Sequence, residues 1–247
     1  MTITDTQART PPALDLSRHS LFLDLDGTLA PIVARPSDVG PDPRRTAILE
    51  ALVRRMDGRV AILSGRTLAE VDHIAGAAVG PVAAVHGLDR RRPDGALDPV
   101  PPHPALPEAL SAFRALAGRD PGLIVEEKGL SAALHYRQAP AEADAVQALA
   151  QDLAQRTGLK LQPGHMVVEL RTPGPDKGDS LRDFMAVPPF SGSTPVFVGD
   201  DLTDEPAFRA ACDGGGFGVL VGPARNSAAT HRLEDVSAVL DWLESAL

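Results

Sequence analysis

Cysteine, aromatic side chains and long apolar runs are all scarce in this chain of 247 residues. Cys212 is the single cysteine, which excludes an intrachain disulfide and indicates a reducing compartment. Aromatic residues make up only 4% of the chain, so alanine and aliphatic side chains must fill the core. No apolar run approaches the roughly 20 residues that a membrane-spanning helix needs. We therefore expect a cytoplasmic protein without a membrane partner.

The net charge of the chain argues against nucleic acids as partners. The formal net charge is −9 at pH 7, and an acidic surface repels the phosphate backbone of nucleic acids. The segment up to about Ser20 is polar, contains two prolines and lacks the apolar centre of a signal peptide. We expect a flexible tail over residues 1–17, a monomeric protein and a small-molecule partner.

Strand patterns alternate with helical patterns at both ends of the chain. Apolar runs at Leu21–Leu25, Arg59–Leu63 and Pro81–Val85 are typical of buried strands, and amphipathic helical stretches separate them. Such alternation implies a parallel sheet with right-handed crossovers. The sequence therefore predicts an α/β fold with a Rossmann-like core formed by residues 18–103 and 174–247.

The middle of the chain follows a different pattern. Six prolines between Pro93 and Pro107 indicate a linker. After them, the order helix, strand, strand occurs twice, which is typical of a two-layer α+β unit. The proline-rich segment Thr172–Pro175 then leads back to the alternating pattern. We therefore predict an inserted, smaller α+β domain over residues 104–173.

Polar residues that can carry chemistry follow the predicted parallel strands. They are Asp24 with Asp26, Ser64, Lys177, and Asp200 with Asp201 and Asp204. In an open α/β sheet, the carboxyl ends of the strands form the edge where ligands bind. Each of these motifs alone is an ordinary turn, helix cap or solvated side chain. Carboxylates at two strand ends, with a hydroxyl and a lysine at further junctions, are much harder to obtain by chance.

This set of residues suits phosphoryl transfer. Two carboxylates at one strand end repel each other unless a cation or a chemical task offsets the repulsion. A carboxylate and a phosphate are both anions and repel each other. Mg²⁺ prefers oxygen ligands and would neutralise the negative charge of the phosphate, so that the carboxylate can approach it. One carboxylate can then attack phosphorus while another protonates the leaving alkoxide, and Lys177 and Ser64 can hold phosphoryl oxygens.

The motif Asp24-Leu-Asp-Gly-Thr-Leu29, then a serine, a lysine and Gly199-Asp-Asp-Leu-Thr-Asp204, resembles the haloacid dehalogenase (HAD) superfamily of phosphatases. The insert resembles the α/β cap of that superfamily. The resemblance implies that Asp24 is the nucleophile that becomes an aspartyl phosphate, and that Asp26 is first an acid and then a base.

The same resemblance implies a Mg²⁺ site and a phosphate site. Asp24, the main-chain carbonyl of Asp26 and Asp200 would bind Mg²⁺. Ser64 and Lys177 would bind phosphate. Either Asp204 or Asp201 would support the metal, and the sequence does not choose between them.

The insert holds a candidate site of its own on a predicted hairpin, Val125–Arg137. Residues two apart on a strand share a face, so Glu126 lies beside Lys128 and His135 beside Arg137. Such charged and polar groups can bind sugar hydroxyls. The spacing by itself slightly favours an ordinary salt-bridge patch on an exposed sheet.

A closer resemblance favours the sugar site. Glu126-x-Lys128, His135-Tyr-Arg137 and a glutamate before Lys-Gly resemble the trehalose-6-phosphate phosphatase family, as do Ser-Gly-Arg, His-Gly and Gly-Asp-Asp-Leu-Thr-Asp-Glu in the core. The resemblance covers about Leu21 to Leu243. It implies disaccharide contacts at Glu126, Lys128, His135, Arg137 and Glu169, places Arg66 near the phosphate rim, and makes Gly65 a further substrate-binding residue. The chain departs from the family at Arg171, where a lysine is usual, and in a second proline in the segment back to the core.

Three alternatives remain at the level of the sequence. The first is a related phosphatase for sucrose phosphate or a glycosyl phosphoglycerate, against which the Glu126 and His135 motif argues. The second is a sugar phosphomutase, which would show little net release of phosphate. The third is a non-catalytic sugar-phosphate sensor, which would be expected to have lost a carboxylate.

Overall fold

The computed structural model describes residues 9–33, 35–76, 79–164 and 166–247. It divides into two compact units. The core unit comprises the chain up to Asp98 together with Pro175–Leu247, and the insert unit comprises Pro99–Gly174. The predicted insert begins at 104 rather than 99 and ends at 173 rather than 174.

The helices and strands follow the alternation that the sequence predicts. The strands are β1 (His19–Leu23), β2 (Val60–Leu63), β3 (Val82–Ala84), β4 (Asp89–Arg91), β5 (Leu97–Pro99), β6 (Ile124–Glu127), β7 (Ser131–His135), β8 (Lys160–Gly164), β9 (Val167–Arg171), β10 (Thr194–Gly199), β11 (Phe217–Val221) and β12 (His231–Leu233). The helices are α1 (Pro43–Arg55), α2 (Leu68–Ala75), α3 (Leu106–Ala117), α4 (Ala143–Thr157), α5 (Lys177–Met185), α6 (Glu205–Asp213) and α7 (Val236–Glu244).

The core unit is built on one sheet with the strand order β12-β11-β10-β1-β2-β3-β4-β5. Neighbouring strands from β12 to β3 are parallel, and β4 is antiparallel to β3. The central strands end in continuous apolar runs, such as residues 21–23 in β1, because helices cover both faces of such a sheet. Leu23 lies beside Val198 of β10 and Ile62 of β2, so the residues that follow these strands emerge at one edge.

Side-chain caps determine where two helices of the core unit begin. Thr67 and Glu70 form a reciprocal capping box at the start of α2. Asp176 accepts hydrogen bonds from the N–H groups of Gly178 and Asp179, so α5 begins at Lys177. This start directs Lys177, which is 2% exposed, into the interior.

The sheet extends further than the sequence pattern indicates. The segment from Pro93 is not only a linker, because β4 and β5 form a hairpin whose turn Arg92 closes by donating its N–H to the carbonyl of Ala96 at 2.8 Å. Proline is tolerated there because β5 is an edge strand. The strand β12 also escapes sequence analysis, since three residues, two of them polar, carry no strand signal.

Part of the predicted tail belongs to the core unit. Arg9 forms a β-bridge with His231, Leu14 is buried, and Trp242 Nε1 donates to the carbonyl oxygen of Pro12 at 2.9 Å. These contacts hold residues 9–17 against the last strand and helix. Residues 1–8 of the predicted tail lie outside the described residues.

The insert unit is a two-layer α+β structure. Its strands pair antiparallel in the order β6-β7-β9-β8. One face of the sheet, which includes Leu134 and Leu170, packs with residues of α3 and α4 in an apolar core. The alternation of strand residues places Glu126, Ala133 and Glu169 side by side on the opposite face. In the described parts of the chain, no helix is long and apolar enough to cross a membrane.

Candidate active site

A buried lysine joins two carboxylates at the carboxyl ends of β1 and β10. Lys177 Nζ donates to Asp24 Oδ1 at 2.8 Å and to Asp204 Oδ1 at 2.5 Å. Asp24 is 5% exposed and Asp204 is fully buried. Paired charges are tolerated at such depth only because each is compensated by the other and by hydrogen bonds.

The loop after β10 is organised by Asp204. Its Oδ2 accepts hydrogen bonds from the N–H groups of Asp200 at 2.9 Å and Asp201 at 3.0 Å. The side chain of Asp201 instead caps the following turn through the N–H of Leu202. Carboxylate oxygens of Asp24, Asp200 and Asp204 all lie within 4.8 Å of one another, so the acidic cluster contains Asp204 and not Asp201.

Negative charge exceeds positive charge in this cluster. Burial, together with the charge of Asp24, raises the pKa of Asp200 to about 9. Burial likewise raises the pKa of Asp24 to about 7, although Lys177 opposes the change. Burial alone would lower the pKa of Lys177, but the charges of Asp204 and Asp24 outweigh it and raise that pKa.

The cluster has the properties of a divalent cation site. Asp200 Oδ1 is buried and makes no hydrogen bond within the described part of the chain. Gly27, with φ at +79°, leaves room for this carboxylate, since a Cβ at Gly27 would lie 2.1 Å from Asp200 Oδ2. Uncompensated carboxylate oxygens are the ligands that Mg²⁺ prefers.

The side chain of Asp26 has a different partner. Arg66 donates from Nε to Asp26 Oδ2 at 2.8 Å and from Nη2 to Asp26 Oδ1 at 2.7 Å. Arg66 also donates to the carbonyl oxygen of Pro36 at 2.8 Å and lies 3.4 Å from Glu70 Oε1. Through these contacts the guanidinium of Arg66 holds the carboxylate of Asp26, and its place near the phosphate stays a prediction.

Ser64 and Gly65 lie where β2 ends. Ser64 is fully buried, and its Oγ accepts the N–H of Arg66 at 3.2 Å. A Cβ on Gly65 would lie 2.5 Å from Nε2 of His86, so only glycine allows the imidazole to pack so closely. This packing joins the ends of the neighbouring strands β2 and β3. The other neighbour of β2 is β1, the strand that Asp24 follows.

The insert unit assembles four of its five predicted residues into one network. Lys128 Nζ lies 3.1 Å from Glu169 Oε2 and 3.9 Å from Glu126 Oε2, and His135 Nε2 lies 2.8 Å from Glu126 Oε2. Burial would raise the pKa of Glu126, but the hydrogen bond with His135 and the charge of Lys128 lower it. Arg137 lies beyond the end of β7 and is half-buried.

A model of the family described as trehalose-phosphatase matches residues 22–237 of this chain, which span both the acidic cluster and the insert network. The chain belongs to the trehalose-phosphatase family. Its fold class, an α/β core of the HAD type with an α+β insert, is the one that the sequence predicts.

Curated relatives agree with this trehalose-phosphatase assignment. The trehalose-6-phosphate phosphatase of Escherichia coli (strain K12) is 39% identical over 230 residues, which cover 92% of this chain and 86% of the relative. The probable trehalose-phosphate phosphatase of Sinorhizobium fredii is 35% identical over 211 residues, covering 85% of this chain and 80% of the relative.

Solved structures agree on the trehalose-phosphatase fold. The C-terminal domain of trehalose-6-phosphate phosphatase from C. albicans superposes with a TM-score of 0.83 at 22% identity, covering 97% of this chain and 98% of that domain. A HAD superfamily phosphatase from Bacteroides thetaiotaomicron gives a TM-score of 0.59 at 20% identity, covering 96% and 97%. At these identities the likeness concerns the fold alone.

Two features of this trehalose-phosphatase chain escape sequence reasoning. The pairing of Arg66 with Asp26 joins residues 40 positions apart, and no local pattern indicates it. Arg171, the departure from the usual lysine, is fully buried, and its guanidinium reaches the carbonyl oxygen of Gly174 at 3.4 Å. A buried arginine in a polar row of the insert sheet has no signal in the sequence beyond its residue type.

Proposed function

We propose that this protein hydrolyses trehalose 6-phosphate to trehalose and inorganic phosphate, in a Mg²⁺-dependent reaction through an aspartyl phosphate. The observation that supports it best is the extent of the family match. The match includes the acidic cluster around Lys177 in the core unit and also the Glu126, Lys128 and Glu169 network in the insert unit. A match of the core alone would support phosphatase chemistry without a substrate.

The residues present suit Mg²⁺. Asp24, Asp200 and the main-chain carbonyl of Asp26 would hold the ion, and Asp204 would hold the loop that carries Asp200. Bound Mg²⁺ would neutralise charge on the phosphoryl group and so favour attack by an anion. Asp24 and Asp200, whose pKa values burial raises, would both become carboxylates when the ion binds.

The first chemical step would transfer the phosphoryl group to the protein. A carboxylate oxygen of Asp24 attacks phosphorus, and the bond between phosphorus and the sugar oxygen breaks. The carboxyl group of Asp26 gives its proton to the departing oxygen, which leaves as the hydroxyl of trehalose. Lys177 and Ser64 hold the phosphoryl oxygens while their charge is redistributed.

The second step would release phosphate and restore the protein. Asp26, now a carboxylate, takes a proton from a water molecule whose oxygen attacks phosphorus. The bond between phosphorus and Asp24 breaks, so Asp24 returns to a carboxylate and Asp26 to its protonated form. One water is consumed, and one trehalose and one phosphate are formed.

Substrate choice would depend on the insert network. Glu126, Lys128 and Glu169 are already paired with one another, and sugar hydroxyls would exchange with those pairs. A sugar that lacks the matching hydroxyls would leave charged groups unpaired. Discrimination of about 10⁴-fold is reached when polar groups of a site are left without partners.

Phosphate release from a panel of substrates tests the proposal. The panel is trehalose 6-phosphate, glucose 6-phosphate, sucrose 6-phosphate and mannosyl phosphoglycerate, each with Mg²⁺ and with Asp24→Asn as the blank. We expect strong release from trehalose 6-phosphate that the blank lacks. Release mainly from another substrate would retain the phosphatase chemistry and overturn the substrate. Release from none of the four would contradict hydrolysis and favour a mutase or a sensor.

A further inference from the structure

The loop that carries Asp200 is held through both its N–H and its C=O groups. Asp204 accepts the N–H groups of Asp200 and Asp201. The guanidinium of Arg225 donates from Nη2 to the main-chain oxygen of Asp201 at 2.8 Å and to that of Asp200 at 3.3 Å. Two side chains from different parts of the core unit therefore hold the main chain of the same two residues, Asp200 and Asp201.

Arg225 is itself held in place. Its Nη1 donates to Glu205 Oε1 at 2.5 Å, and Glu205 Oε2 accepts the N–H of Ala228 at 2.8 Å. The side chains of Arg225 and Glu205 are 24% and 12% exposed. Glu205 thus joins the first turn of α6 to the segment after β11, and this junction sets the direction of the guanidinium.

We propose that Arg225 is a positioning residue for Mg²⁺, acting through the main chain of Asp200 and Asp201. The Oδ1 atom of Asp200 makes no hydrogen bond in the described part of the chain. The direction of this carboxylate therefore depends on its own main chain, which Arg225 and Asp204 hold. The inference rests on the proposed function, because it concerns the proposed metal site.

The charge of Arg225 and its hydrogen bonds have opposite expected effects on the affinity for Mg²⁺. A positive charge near the site repels Mg²⁺, so its loss by charge alone would tighten binding. Loss of the hydrogen bonds to Asp200 and Asp201 would let the carboxylate move, which weakens binding. Lysine keeps the charge but cannot reproduce the fork of a guanidinium. The sign of the change therefore distinguishes the two effects.

The test is calorimetric titration of the full chain with Mg²⁺ in the absence of substrate. Arg225→Met and Arg225→Lys are compared with Arg209→Met. Arg209 is a matched control because its Nη1 lies 4.0 Å from Glu205 Oε2 and its side chain is 60% exposed. We expect Mg²⁺ binding about tenfold weaker in both Arg225 variants, the lower end of effects seen for residues that support metal ligands, and unchanged in Arg209→Met.

Thermal unfolding establishes which variants are folded. If Arg225→Met does not fold, the inference is tested with Arg225→Lys alone. Tighter binding by Arg225→Met, or binding by Arg225→Lys within twofold of the wild type, overturns the inference while leaving the proposed function intact. A wild-type chain that binds no Mg²⁺ overturns both this inference and the metal requirement of the proposed function.

Discussion

Arg66 donates two parallel hydrogen bonds to the carboxylate of Asp26, from Nε at 2.8 Å and from Nη2 at 2.7 Å. The guanidinium is 7% exposed, and the carbonyl of Pro36 also binds it. The proposed acid and base of the reaction thus receives its orientation from the residue two positions after Ser64. The sequence-based prediction that Arg66 lies near the phosphate stays a prediction beside this contact.

Replacing Arg66 by lysine tests that contact. A lysine offers one compact charge and cannot hold both oxygens of Asp26. We expect kcat for trehalose 6-phosphate to fall tenfold to about a hundredfold, less than the full worth of a general acid, with KM little changed. An early burst of phenol from an aryl phosphate should be less affected, because an acidic phenol leaves without a proton.

Arg91→Lys is the matched control for this prediction. Arg91 also holds both oxygens of a carboxylate, since its Nη1 and Nη2 donate to Asp72 at 2.8 and 2.7 Å, at a site without proposed chemistry. Its kinetics should match the wild type. An equal loss on sugar and aryl phosphates in Arg66→Lys would contradict a role through Asp26.

Lys177→Met should remove both activity and stability. The change leaves Asp24 and Asp204 buried together without their shared cation. Removing one member of a buried ion pair costs about 3 kcal/mol or more. Urea unfolding of the metal-free protein measures the loss. The exposed Lys160, replaced in the same way, should change the free energy of unfolding little, and comparable losses in the two variants would refute the explanation.

Asp200→Asn should remove the response of the protein to Mg²⁺. A ligand at a hundredfold its Kd stabilises the folded state by about 2.7 kcal/mol, so the wild type should melt at higher temperature with Mg²⁺. The variant should show no such increase. Thermal unfolding with Mg²⁺ and with a chelator measures both. An undiminished increase in the variant would show that Mg²⁺ binds elsewhere.

The same variant predicts a pH dependence in the metal-free protein. The pKa of Asp200 is raised from 3.8 to about 9 by burial and the charge of Asp24, so the folded state binds a proton that the unfolded state has lost. The stability from that proton is present below pH 3.8 and is lost as pH rises toward 9. Asparagine does not titrate. The free energy of unfolding, measured near pH 5, 7 and 9, should rise in Asp200→Asn relative to the wild type as pH rises. A difference between the two proteins that stays constant with pH would contradict the raised pKa of Asp200.

Gly27→Ala should displace Asp200. A methyl group there would lie 2.1 Å from Asp200 Oδ2, in addition to the strain of a positive φ. We expect Mg²⁺ binding and activity to be lost. Gly215→Ala is the control, since Gly215 also has positive φ, at +78°, but its Cβ would meet nothing within 4 Å. The control should lose about 1 kcal/mol of stability and keep its affinity for Mg²⁺. If both variants lost Mg²⁺ binding equally, backbone strain rather than displacement of Asp200 would explain the loss.

Glu126→Ala should alter the choice of sugar. Glu126 contacts Lys128 and His135 in the insert network, so its loss should lower kcat/KM for trehalose 6-phosphate more than for glucose 6-phosphate. Glu127→Ala is the matched control. Glu127 is exposed and forms an ion pair with the exposed Arg114, away from the insert network. An unchanged ratio of the two substrates in Glu126→Ala would contradict a sugar role for the network.

Much of the fold follows from local pattern. Continuous apolar runs predict the buried parallel strands, because helices cover both faces of such a sheet. The change to helix, strand, strand predicts the insert. The hairpin of β4 and β5 escapes prediction because its prolines and turn residues are those of a linker. Residues 9–17 escape it because one buried leucine and a hydrogen bond to Trp242 hold them, and neither leaves a periodic signal.

Local sequence pattern is enough to predict which chemical groups follow which strands: Asp24 and Asp26 follow one, Ser64 another and Asp200 a third. It could do so because the carboxyl ends of parallel strands share one edge. How these groups pair with one another depends on the packing of the whole chain. Lys177 joins Asp24 to Asp204, and Arg66 holds Asp26. Side chains tens of residues apart meet only once the sheet and its helices have packed, so no local pattern records their partners.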